Sequence, residues 1–184
     1  MKKLLLSLAV LSLPVQAVAP SIALGQKSYA IGLGGGAAIP VGKLADRQAT
    51  GYNAMISLAI GVSDLPFGVR FDGIYNNLAN TKSPPAGVST AKMRVSSALA
   101  NLVFAFPGTT AKAYLLAGVG LYNSKADLPN AKTQNNFGFN AGFGSTFAFG
   151  PIATFFESRY HTVSRSESKG GVYQFVPITF GFMF

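Results

Sequence analysis

The 184-residue chain contains no cysteine. A disulfide framework, a thiolate metal site and a cysteine nucleophile are therefore excluded. Charge is scarce as well: Asp, Glu, Lys and Arg make up 11% of the residues, against roughly 25% in an ordinary soluble domain. The 6 acidic residues are scattered, so neither a metal-ligand constellation nor a cofactor motif stands out. The single histidine, His161, invites an enzymatic reading. Beyond the N-terminal stretch, no apolar run is long enough to cross a bilayer as a helix. The longest, Ala113 to Tyr122, spans about ten residues and includes two glycines, where a spanning helix needs about 20.

What the chain does have is glycine, 21 residues, and phenylalanine, 15. A mixture rich in Gly, Phe and Tyr and poor in charge suits a sheet whose outer face meets lipid better than a soluble helical protein. The formal net charge is +9. Such a balance raises the question of nucleic acid. The basic residues do not cluster, however; they are strewn singly between apolar segments, and a nucleic-acid partner is not expected.

The N-terminus reads as a secretory leader. Met1-Lys2-Lys3 is a positive n-region, and Leu4 to Pro14 an apolar h-region. Val15 and Ala17 place small residues at the −3 and −1 positions, so cleavage after Ala17 is expected. Cutting after Ala19 would put Pro20 at +1, which hinders the peptidase. The apolar run is too short for a membrane anchor. The expected division is a cleaved signal peptide over 1–17, a linker over 18–26 and one barrel domain over 27–184.

Alternation with period two then recurs in eight segments of about ten residues. In Tyr29 to Ile39, the residues Tyr29, Ile31, Leu33, Ala37 and Ile39 share a face opposite glycines and alanines. Tyr52 to Val62 sets Tyr52, Ala54, Ile56, Leu58, Ile60 and Val62 against Asn53, Ser57 and Gly61. Phe67 to Tyr75 turns Phe67, Val69, Phe71 and Tyr75 outward and Arg70, Asp72 and Asn76 inward. Arg94 to Phe106 is the least regular; Leu102, Phe104 and Phe106 outward turns Asn101 inward. Ala113 to Asn123 opposes Leu115, Val119 and Leu121 to Tyr114, Gly118, Gly120 and Tyr122. The sixth segment alternates most cleanly, Phe137, Phe139, Phe143, Phe147 and Phe149 against Gly138, Asn140, Gly142 and Gly144. Ile152 to Thr162 sets Phe156 and Tyr160 against Glu157, Arg159 and His161. The eighth, Gln174 to Phe184, turns Val176, Ile178, Phe180, Phe182 and Phe184 outward.

The connections alternate too. Three are short (63–66, 107–112 and 150–151) and four are longer and polar (40–51, 77–92, 123–136 and 163–172). Only helices and closed barrels satisfy every backbone polar group in hydrocarbon. The expectation is an all-β, eight-stranded antiparallel transmembrane up-and-down β-barrel, with short turns on one side and longer loops on the other. A lipocalin-like barrel or a sandwich also alternates, but exposes its polar face to water. Here that face is mostly Gly, Ala, Ser, Thr and Asn, which suits a narrow lumen better than a solvated surface.

On these residues the chain resembles the small bacterial outer-membrane β-barrel family, the OmpA-type and OmpX-type porin-like barrel domains, over nearly all of 27–184. The most specific part is the last strand. Phe184, Phe182 and the apolar alternation through Phe180 and Ile178 back to Val176 resemble the signal read by the outer-membrane assembly machinery. Pro177 removes one ladder donor there and suggests a local bulge. The resemblance implies export to the bacterial outer membrane, contact with its lipid and lipopolysaccharide, and a monomer. It says little about function, because such barrels serve as anchors, adhesins, enzymes and narrow pores.

Four inward charges, Arg70, Asp72, Glu157 and Arg159, sum to zero and must pair in a lumen of low dielectric. They read as a structural plug or, alternatively, as the gate of a narrow porin-like channel for ions or very small solutes. A third reading, a lipid A-modifying acyl hydrolase built on Glu157, His161 and Ser164, is disfavoured. Glu157 and His161 lie about 13 Å apart by strand rise, so no catalytic residue is assigned and no enzymatic activity is expected. Gly32 to Lys43 fails as a phosphate loop, since Gly36 is misspaced from Gly42 and Leu44 replaces Ser or Thr. The loops hold Lys43, Arg47, Lys82, Lys92, Lys125, Lys132, Arg165 and Lys169 against Asp46, Asp127 and Glu167. A basic rim of this kind attracts lipopolysaccharide phosphates or an anionic surface polymer. The function expected is therefore that of a structural or surface-interaction barrel with a plugged lumen and basic extracellular loops.

Overall fold

The computed structural model describes residues 29–61, 65–81, 91–108, 111–149, 152–165 and 171–184. The expected signal peptide, its cleavage at Ala17, the linker 18–26, Val62, the turn residues Ser63, Asp64, Gly150 and Pro151, and the loop charges Lys82, Glu167 and Lys169 lie outside them, as does the Phe149 side chain.

Eight strands form a closed barrel in sequence order. They are β1 (Tyr29–Val41), β2 (Gln48–Gly61), β3 (Phe67–Asn80), β4 (Met93–Ala105), β5 (Ala111–Ala126), β6 (Gln134–Phe149), β7 (Ile152–Val163) and β8 (Tyr173–Met183). A short 3-10 helix, Gly42–Leu44, follows β1. Each strand pairs antiparallel with its neighbour, and β8 returns to β1. The closure runs to the last residue, where Phe184 N–H donates to Ile31 C=O at 2.9 Å and Ile31 N–H to Phe184 C=O at 3.0 Å. Among the described strands no sheet edge is left for a second chain to pair with.

The facing of every strand follows the alternation. Ile56, Phe71, Leu102, Leu121, Phe143, Phe156 and Phe180 are exposed on the outside. Met55, Asp72, Asn101, Tyr122, Asn140, Glu157 and Thr179 are buried inside. A largely apolar exterior around a mixed interior is the inverse of a soluble barrel, and it is the arrangement that hydrocarbon requires.

The strands run further than the apolar alternation. β5 and β6 have 16 residues each, where about 9–11 tilted residues cross a bilayer. The surplus lies at the loop end, where Ser124 pairs with Gln134 and continues the β5–β6 ladder with polar residues on both strands. The four longer connections are accordingly shorter than expected. In β2 a one-residue register shift falls between Ala49 and Tyr52. Gly51 sits in it, and a Cβ there would collide with the Asn77 carbonyl. Pro177, by contrast, makes no bulge. The pairs on either side of it, Ser158 with Ile178 and His161 with Phe175, keep one register, and the ladder to β1 continues through Pro177 opposite Ala38. The proline's missing donor costs bridging on the β7 side only.

Candidate functional site

Because side chains two apart share a strand face, Arg70 and Asp72 project together from β3, and Glu157 and Arg159 from β7. These strands stand across the barrel from each other, so the four side chains meet in the lumen. They close a ring. Arg70 Nη2 is 2.5 Å from Glu157 Oε2 and Arg70 Nε is 3.1 Å from Asp72 Oδ1. Arg159 Nη1 is 2.8 Å from Asp72 Oδ2, and its Nε donates to Glu157 Oε1. Each cation thus touches both anions. All four side chains are at most 3% exposed.

Neutral neighbours complete the ring. Tyr114 Oη donates to Glu157 Oε2 at 2.7 Å, and its ring lies under the Arg70 guanidinium, 5.7 Å away. Asn101 Nδ2 donates to Asp72 Oδ2 at 2.7 Å and to the Arg70 carbonyl at 3.3 Å. Met55 Sδ lies 3.5 Å from Arg159 Nη2. Gly144 makes room for the phenol: a Cβ there would overlap the Tyr114 ring and hydroxyl. Tyr114 and Asn101 face inward in the sequence pattern, but nothing local to β4 or β5 marks them as ring partners. Register alone delivers them.

Towards the loop end lies an aromatic layer. His161 stacks on Phe175 at 4.8 Å and 9°, and its Nδ1 is 2.8 Å from Tyr122 Oη. Tyr173 stacks on Phe175 in turn at 6.2 Å, and Arg165 lies over the Tyr173 ring at 4.6 Å. On the other side of the ring, towards the turns, a cavity of about 600 Å³ is bounded by Arg70, Tyr114, Val103, Lys112 and Met183 and by the turn segments Leu65–Pro66 and Phe106–Gly108.

Similarity searches bear on this architecture. The chain matches the crystal structure of Neisserial surface protein A with a TM-score of 0.65 at 20% identity, covering 84% of this chain and 95% of that one. It matches the N-terminal β-barrel domain of Pseudomonas aeruginosa OprF with a TM-score of 0.51 at 17% identity, covering 87% and 99%. Both are eight-stranded outer-membrane barrels. This chain has their fold. No protein-family model matches it, and no curated protein sequence does.

The residues of the imagined hydrolase do not assemble. Glu157 is taken up by Arg70, Arg159 and Tyr114, and His161 Nδ1 by Tyr122. Ser164 is exposed, beyond the end of β7. Among the described residues there is no group of three or more His, Asp or Glu that could hold a metal ion. Along β8 and at Phe184 just past its end, Phe180, Phe182 and Phe184 are about half exposed on the outside, with Val176 and Ile178 half-buried on the same face. At the loop end Lys43, Arg47, Lys92, Lys125 and Lys132 are exposed, as are Asp46 and Asp127.

Proposed function

We propose that this chain is a monomeric, non-enzymatic outer-membrane barrel that serves envelope structure or surface interaction, with a plugged lumen. The carrying observation is the ring of Arg70, Asp72, Glu157 and Arg159. It joins β3 to β7 across the interior with no net charge and with its members at most 3% exposed. A hydrated conduit calls for charged groups facing water, whereas these face one another. In this reading a signal peptide cleaved after Ala17 directs export. The outward alternation from Val176 to Phe184 is the signal the assembly machinery reads, the turn end faces the periplasm, and the basic loop end faces lipopolysaccharide or an anionic surface polymer.

One observation favours a second reading, a narrow pore. The turn-end cavity reaches Arg70 and Tyr114, so the ring and the aromatic layer above it are what stands between that cavity and the loops. Exchange of ion-pair partners there would then act as a gate. Single-channel recording in planar bilayers separates the two. The plug predicts silence from inserted wild-type protein, and conductance that appears when Arg70 or Glu157 is truncated. Steady wild-type openings abolished by the same changes would establish the pore instead.

A further inference from the structure

On the outside of β3, β4 and β5 the belt of large apolar side chains is interrupted. Gly73, Ala98 and Ala100 face outward there, with Gly73 directly opposite Ala98. They floor a groove of about 680 Å³, inside the roughly 300–1,000 Å³ range of ligand sites. Phe71 walls it on one side, Val119 and Leu121 on the other. Following the outward positions of β4 and β5 towards the loop end leads past Ser96 and Asn123 to Arg94 and Lys125, which are register partners. Like charges directly opposite, about 5 Å apart at Cβ, destabilise a sheet face. Lys92 is exposed beside them, and its carbonyl accepts from Asp127 N–H at 2.8 Å. The one carboxylate among them, Asp127, lies 3.2 Å from Arg94 Nη2, with the two side chains 45% and 59% exposed. A pair so solvated exchanges partners readily. Three cations facing one carboxylate leave an unbalanced positive site next to an apolar groove.

We propose that this face binds one anionic acyl lipid, its phosphate held between Arg94 and Lys125 and an acyl chain laid over Gly73, Ala98 and Ala100. The proposal rests on the reading above that the outward face meets lipid. Arg94 and Ala98 are four residues apart, about 13 Å of strand, the offset between a headgroup and the upper part of its chain. An aqueous anion would use the cations and leave the groove empty. A second copy of the chain docked about a two-fold axis would bring the same cations against one another.

The test is native mass spectrometry of refolded protein released from detergent after incubation with diphosphorylated lipid A, and separately with the same lipid dephosphorylated. Wild type should retain one phosphorylated molecule and discriminate against the dephosphorylated form. At about 1 kcal/mol per surface cation, R94Q with K125Q should weaken retention about thirtyfold. Ala100→Leu, which fills the groove from a lipid-facing position, should weaken it without touching a charge. Equal retention of the two lipids, or retention unchanged by R94Q/K125Q or by Ala100→Leu, overturns the site. Heat-dependent gel mobility and bilayer insertion are scored on each variant. Failure of selective retention by inserted protein refutes the site alone, whereas failure of wild type to insert refutes the membrane reading beneath it.

Discussion

Replacing Glu157 by Gln keeps the shape of the side chain and removes its charge. In the native ring Glu157 is approached by Arg70 at 2.5 Å, by Arg159 and by Tyr114 at 2.7 Å. After the change, two buried guanidiniums share Asp72 alone, leaving one uncompensated positive charge inside the barrel. Breaking a buried pair from one side costs about 3–5 kcal/mol. With a urea slope of roughly 2 kcal/mol per molar, the unfolding midpoint falls by about 2 M. The assay is urea unfolding in lipid vesicles, with the folded fraction read from the mobility of unboiled samples. Removing Arg159 as well restores neutrality: Glu157→Met with Arg159→Met leaves Arg70 on Asp72, still supported by Asn101. Because buried pairs replaced by apolar groups are often neutral in stability, the double variant should be more stable than Glu157→Gln. Recovery is incomplete, since Tyr114 loses its acceptor. A midpoint for Glu157→Gln within about 0.5 M of wild type, well under the loss worked above, refutes the argument. So does a double variant that falls below the single.

Other consequences are as concrete. His161→Phe keeps the stack on Phe175 but leaves the Tyr122 hydroxyl without its partner, at a cost of about 1–3 kcal/mol; adding Tyr122→Phe should recover most of that, and a double variant worse than the single would contradict the layer described. Gly144→Ala puts a methyl group into the Tyr114 ring, and should lower stability by about 1–3 kcal/mol as overpacking does, which unchanged unfolding would disprove. Deleting Phe184 removes the two backbone bonds to Ile31 and the last outward aromatic, so assembly in the outer membrane should fall; normal levels there would count against the reading of β8.

Much of this fold was legible in the residues because the outward face of each strand is apolar at nearly every second position. Lipid demands apolar groups at every second position, and that demand writes itself into each strand separately. Hence Phe137 to Phe147 on β6 and Phe180 to Phe184 on β8 declare their facing without any partner. Arg70, Asp72, Glu157 and Arg159 were legible for the same reason, as charges on the other face. What was not legible depends on register. Tyr114 reaches Glu157 because β5 pairs with β6 so that Tyr114 lies opposite Gly144, and β6 with β7 so that Gly144 lies opposite Glu157. No single strand carries that information. The loop-end strand extensions were hidden because Ser124 and Gln134 lie beyond the apolar belt, where the ladder continues but the alternation of polarity stops. The regular register at Pro177 was hidden too, since it depends on the unbroken ladder to β1.

The central claim is that odd and even positions of each strand face different media, lipid outside and a packed interior of mixed polarity within. The absence of native cysteine makes its direct measurement simple. Single cysteines placed along β6 at Phe139, Asn140, Ala141, Gly142 and Phe143, labelled with a fluorophore and reconstituted with lipids brominated in their chains, should alternate. Labels at Phe139, Ala141 and Phe143 should be strongly quenched, and those at Asn140 and Gly142 little or not at all. Uniform quenching along the strand, or the opposite alternation, would contradict the account.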